Sequence, residues 1–228
     1  MISASEAARL IDVSAVRTHH TLKDVKELVK LAKQYHFINV HVLPVWVSTL
    51  AEMLRNVDGV YVGAPVGFPS GAHCTSTKIL EAQHLLEDGV EEMDIVMNVG
   101  KFKNQEYDYV LDEIKEIVGM CNGRVLTKVI IEINTLDDDQ MLKACELVMK
   151  SGADFIKTGT GWIPGIANIE RIRRIKDYCK NDIKVKAAGG IRTKEDFLAL
   201  YEMGVERMGI NTQSAVNIMR SLEENKNT

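Results

Sequence analysis

The stretch Ile183-Lys184-Val185-Lys186-Ala187-Ala188-Gly189-Gly190-Ile191-Arg192-Thr193-Lys194-Glu195-Asp196-Phe197 holds one complete structural unit. Its first half is a short apolar run, the pattern of a buried strand. Gly189-Gly190 breaks the run, and Thr193 is an N-cap type residue that opens an amphipathic stretch. Working outward, the same unit recurs along the chain. Apolar, β-branched runs occupy 9–13, 38–43, 59–66, 92–98, 126–133, 155–158, 183–187 and 207–211. Amphipathic stretches follow from near Thr21, Val47, Thr75, Asn104, Asp137, Asn168, Thr193 and Thr212, with Thr21, Thr75, Asp137, Thr193 and Thr212 as cap types. Within them Leu28, Leu31, Ala32 and Tyr35, and again Leu142, Cys145, Val148 and Met149, keep the 3-and-4 spacing of a helix core face. Eight strand–helix units in 228 residues, about 28 residues apiece, fit a closed (β/α)8 barrel filling 1–228 as a single domain. An open doubly wound sheet competes, but no G-x-G-x-x-G follows the first strand.

Composition narrows the function. Apolar residues make up 46% and charged residues 26%, the balance of a globular chain with a sizeable core. The net charge of −4 does not suggest a nucleic-acid partner, and no apolar run approaches the roughly 20 residues of a membrane span. Met1 to Leu10 carries Glu6 and Arg9 and no apolar signal core, so a cytoplasmic protein is expected. Cys74, Cys121, Cys145 and Cys179 form no C-x-x-C pair and read as reduced thiols. The six histidines form no H-E-x-x-H pair, so no catalytic metal is expected.

A barrel places its active site at the carboxyl ends of the strands. Lys157 ends the apolar run Asp154-Phe155-Ile156-Lys157, just before a Gly/Thr-rich turn. A lysine pointing into a barrel loses hydration, which lowers its pKa and leaves a neutral amine able to attack a carbonyl. Lys186 sits alike one strand later, on the same strand face as Lys184 but nearer the carboxyl end. Two neighbouring ammonium groups disfavour each other's charge, and one amine is thereby activated. Asp94, inside Met93-Asp94-Ile95-Val96-Met97, is costly unless paired or functional; it fits a proton shuttle or a structural ion pair equally. Asp12, read as the end of the first strand, is a weaker case of the same kind. The turns Thr158-Gly159-Thr160-Gly161, Gly189-Gly190 and Gly209-Ile210-Asn211-Thr212, with Arg192 beyond the second, suit a phosphate. His41 reads as a core histidine, and Trp46 and Trp162 as loop residues at the same face.

Taken in order and spacing, these segments resemble the deoxyribose-phosphate aldolases, class I aldolases with a (β/α)8 barrel. The resemblance covers most of the chain and is strongest through Val66-Gly67-Phe68-Pro69-Ser70-Gly71 and Met93-Asp94-Ile95-Val96-Met97-Asn98-Val99-Gly100. It continues through Lys128-Val129-Ile130-Ile131-Glu132, Ala153 to Gly161 and Val185 to Arg192. It implies that Lys157 forms a Schiff base, that Lys186 perturbs it and assists proton transfer, that Asp94 joins the relay, and that Asp12 matches the first-strand aspartate. It further implies a sugar-phosphate substrate, 2-deoxy-D-ribose 5-phosphate, cleaved reversibly to D-glyceraldehyde 3-phosphate and acetaldehyde, with no cofactor and with a homodimer as a possible assembly. Departures are Gly159 for a family serine, Asn211-Thr212-Gln213 where serines usually bond the phosphate, His41 for a common cysteine, and a chain end without a C-terminal tyrosine. Gly159 and Asn211-Thr212-Gln213 motivate an alternative: the same lysine chemistry on a different sugar.

Overall fold

In the computed structural model, which describes residues 2–165 and 168–224, eight parallel strands close into a barrel in sequence order. They are β1 (Ile11–Ala15), β2 (Asn39–Val42), β3 (Tyr61–Val66), β4 (Glu92–Val96), β5 (Leu126–Ile130), β6 (Phe155–Lys157), β7 (Lys184–Ala188) and β8 (Arg207–Asn211). β8 pairs back onto β1, Met208 opposite Ile11, so no edge is left open. The helices are α1 (Ala4–Ala8), α2 (Leu22–Tyr35), α3 (Val47–Leu54), α4 (Thr75–Glu87), α5 (Val99–Lys103), α6 (Tyr107–Cys121), α7 (Asp138–Ser151), α8 (Ile169–Cys179), α9 (Lys194–Glu202) and α10 (Thr212–Glu224). None of them is long and apolar enough to cross a membrane.

The core lies between strands and helices. Outward strand residues such as Val13, Val40, Ile95, Val129 and Ile156 are fully buried against helix faces that carry Leu28, Ile114, Ala144 and Ile172. The barrel interior is different: the inward positions of several strands are charged. Helix starts follow the expected chemistry in several units. Asp137 accepts from the Gln140 N–H, Asn168 from Arg171 and Thr193 from Asp196.

Three details correct the sequence reading. The first strand is Ile11–Ala15, two residues beyond 9–13, so Asp12 lies early in the strand, deep in the barrel. Arg9 instead turns outward, its Nη1 donating to the carbonyls of Gly59 at 2.7 Å and His36 at 3.1 Å. Thr75 and Thr212 are first helical residues: Cys74 stands at the cap of α4, and Asn211 accepts from the Ser214 N–H at 3.0 Å to cap α10. The chain end on which the missing tyrosine turns, 225–228, lies outside the described residues.

Candidate active site

Strand register brings the inward side chains together. Asp94 is opposite Lys128, Lys157 opposite Lys186, and Lys186 opposite Arg207. Asp12 lies opposite Gly209 on one side and Asn39 on the other. Two-residue alternation turns Glu92 inward with Asp94, so β4 supplies two carboxylates to the interior. The result is one buried charge network. Lys128 Nζ stands 2.6 Å from Glu92, 3.1 Å from Asp94 and 3.9 Å from Asp12. Lys186 Nζ is 2.6 Å from Asp12 and 2.8 Å from Asp94, and Arg207 reaches Asp12 at 2.7 Å and Glu92 at 2.9 Å. Lys157 Nζ touches a single carboxylate, Asp94, at 2.7 Å.

This inventory explains which amine gives up its proton most readily. Four cationic side chains face three carboxylates, so the network carries one excess positive charge in a medium that opposes it. The excess is relieved at the least compensated cation, Lys157. Burial, with help from the nearby Lys186 and Lys128, lowers its pKa to about 8 despite the opposing pull of Asp94. Lys128, with three carboxylate neighbours, moves the other way: burial would lower its pKa, but Asp94, Glu92 and Asp12 raise it above the ordinary lysine value. Burial alone would raise the carboxylates. The cations reverse this: Asp94 is held well below its ordinary range by Lys128, Lys157 and Lys186, and Asp12 is lowered by Lys186, Lys128 and Arg207.

His41 is part of the network, contrary to its reading as a plain core residue. Nε2 lies 3.4 Å from Asp94 Oδ2, the oxygen shared by Lys157 and Lys186, and Nδ1 lies 2.9 Å from Asn39 Oδ1. Burial pushes its pKa well below the ordinary value, with Lys186 and Lys157 adding to that effect, so the ring is neutral at pH 7. Gly63, opposite His41 on β3, makes this possible, since a Cβ there would collide with the ring.

Above the network lies a cavity of about 710 Å³ at the carboxyl ends of the strands. Lys157, Lys186, Asp12 and His41 form part of its wall. So do Thr158, Gly159 and Gly161, Gly189, Gly190 and Arg192, and Gly209, Asn211 and Thr212. The cavity wall therefore gathers every catalytic and phosphate-site candidate read from sequence except Asp94, which is fully buried beneath the two lysines. Trp162 lines the cavity, whereas Trp46 packs against the core.

The Gly-rich turns meet there: a Cβ on Gly189 would stand 3.7 Å from the Gly161 Cα. Gly159 has a structural cause, because a Cβ at that position would come 2.9 Å from Glu132 Oε1. Glu132 is buried, and its Oε2 accepts from the Thr160 N–H at 3.0 Å and from the Thr160 hydroxyl. The Asn211 side chain is engaged with Ser214 on both its atoms, so what this segment offers the cavity is the start of α10. Sequence reasoning assigned no site role to Lys128, Glu92, Arg207 or Glu132. The i, i+2 pair Glu92 and Asp94 carried a signal for the first of these contacts; strand register, which supplies the rest, leaves no mark on a single sequence.

Comparison with known proteins identifies the family and the fold. Residues 4–211 match the family model described as DeoC/LacD family aldolase. The chain is 40% identical to a deoxyribose-phosphate aldolase of Klebsiella pneumoniae, over 95% of this chain and 88% of the relative. It is 42% identical to another from Sinorhizobium medicae, over 96% and 88%. Among solved structures, a deoxyribose phosphate aldolase of Aeropyrum pernix, described as a unique tetramer, superposes with a TM-score of 0.88 at 29% identity, covering 97% of this chain and 92% of the other.

Proposed function

The chain belongs to the DeoC/LacD family of aldolases, and from that footing we propose that it is a carbon–carbon lyase cleaving 2-deoxy-D-ribose 5-phosphate reversibly to D-glyceraldehyde 3-phosphate and acetaldehyde. One observation carries the reading. Lys157, on the wall of the cavity, shares a single Asp94 oxygen with Lys186 and, among the described residues, is the one cation of the barrel-interior network with only one carboxylate partner.

The chemistry follows from that placement. Neutral Lys157 attacks C1 of the open-chain aldehyde, and loss of water gives an iminium ion. Asp94 beneath it supplies the counter-charge. The C3 hydroxyl proton leaves to the Lys186–Asp94 pair through a water, the C2–C3 bond breaks, and its electrons pass into the iminium to form an enamine. Glyceraldehyde 3-phosphate departs as the aldehyde formed at C3. Protonation of the enamine at C2 and hydrolysis release acetaldehyde and restore the amine. The turns at Gly159–Gly161, Gly189–Gly190 and Gly209–Thr212, with Arg192, hold the phosphate. Two of the departures that favour another sugar have a structural use, Gly159 in making room for Glu132 and Asn211 in capping α10.

The same reading treats 1–228 as one barrel domain that carries the whole reaction without a cofactor. It places the protein in the cytoplasm, and expects self-association, as in the tetrameric relative. The test is turnover of 2-deoxyribose 5-phosphate by the purified protein, with both products measured. Conversion by the wild type and none by Lys157→Ala is expected; substantial residual turnover in Lys157→Ala would sink the scheme.

A further inference from the structure

The reaction needs charge at both ends of its substrate, yet the cations at the floor of the cavity are committed to Asp94 and Asp12. At the mouth stands another. Arg17 follows β1 and is exposed, and its Nη2 donates to the carbonyl of Gly161 at 2.7 Å. Its guanidinium lies over the Trp162 ring, 5.2 Å from the centroid. Trp162 is itself fixed: Nε1 donates to the Val16 carbonyl at 3.1 Å, and the ring meets Phe68 edge-on at 5.7 Å. Among the described residues no carboxylate pairs with Arg17, although Asp24 and Glu27 line the same cavity. An arginine side chain has five N–H donors, and among the described residues only one of them has a protein acceptor. Its positive charge is thus held in place by two neutral partners, left uncompensated, and set beside the turn whose backbone suits an anion.

We propose that Arg17 is a specificity-determining residue, reading the phosphate monoester of the substrate from the β1 side while the Gly-rich turns hold it from the β6 and β7 side. This rests on the phosphorylated-sugar reading above. Trp162 acts as the positioning residue that keeps the guanidinium from solvent wandering.

The experiment compares wild type, Arg17→Gln and Arg17→Lys on 2-deoxyribose 5-phosphate and on unphosphorylated 2-deoxyribose, and titrates inorganic phosphate into each protein by calorimetry. Arg17→Gln should raise KM for the phosphorylated sugar about 10- to 100-fold with kcat little changed. It should leave kcat/KM for the unphosphorylated sugar unaltered and weaken phosphate binding, and Arg17→Lys should recover part of the loss. Equal losses on both sugars would make Arg17 a loop strap and overturn the proposal, as would unchanged phosphate affinity. If the wild type turns over neither sugar, the aldolase reading fails separately, and weaker phosphate binding by Arg17→Gln still supports the assignment.

Discussion

Lys157 differs from the other cations of the barrel-interior network in how many carboxylates it touches, and that difference sets its chemistry. With a pKa lowered to about 8, its neutral fraction falls about tenfold per unit below that pH. Imine formation should therefore speed up as pH rises towards about 8 and level off above it, as measured by the rate of borohydride inactivation in the presence of substrate. The linked stability effect has the opposite sense from a paired lysine. Between about 8 and the unfolded value near 10.4, the unfolded chain holds a proton that the folded chain has lost, so this lysine's contribution to stability rises with pH across that window. Asp94→Asn removes the shared anion from under both lysines. It should lower kcat by about 10²- to 10⁴-fold, read in steady-state kinetics. A variant with wild-type turnover would show that Asp94 is a structural anchor alone.

At the scale of elements, the site depends on struts that touch no substrate. Lys78 of α4 is fully buried; its Nζ donates to the carbonyl of Val96, the last residue of β4, at 2.9 Å and to Glu113 of α6 at 2.6 Å. Lys78→Met leaves Glu113 buried without its cation and should cost about 3–5 kcal/mol in denaturant unfolding. Gly63→Ala drives a methyl group into His41 and should cost about 1–3 kcal/mol, with lowered activity because His41 abuts Asp94. Element identity was largely legible from sequence, since each strand had to be apolar on its helix-facing side and each helix amphipathic. What escaped were short or displaced pieces. α1 has only five residues, yet its capping box, Ser3 with Glu6, was present in the letters. Leu10 extends the apolar run and draws the expected β1 two residues early, although Arg9 faces outward to the Gly59 and His36 carbonyls. Lys157 and Lys186 stood out because a charge inside an apolar run is conspicuous; Arg207, at the start of its strand, was not, and its role depends on the register that sets it opposite Lys186.

Across the whole molecule, closure of the barrel is what concentrates charge. Strands β1, β4, β5, β6, β7 and β8 each send at least one ionisable side chain into one interior network, and no local segment contains a pair that could form it alone. The network consequently reports on global folding. Asp12 and Asp94 both have folded pKa values below the ordinary range, so their contribution is present above about pH 4 and is lost as pH falls below it. Urea midpoints should drop steeply below about pH 4 in the wild type and less steeply in Asp12→Asn; a midpoint indifferent to acid would contradict the charge assignment. The most direct test of the whole account is borohydride reduction with 2-deoxyribose 5-phosphate, followed by peptide mass mapping. The account predicts a reduced adduct on Lys157, carrying the mass of the sugar phosphate or of the two-carbon fragment left by cleavage. An adduct on Lys186 instead, or none on a folded protein, would contradict it.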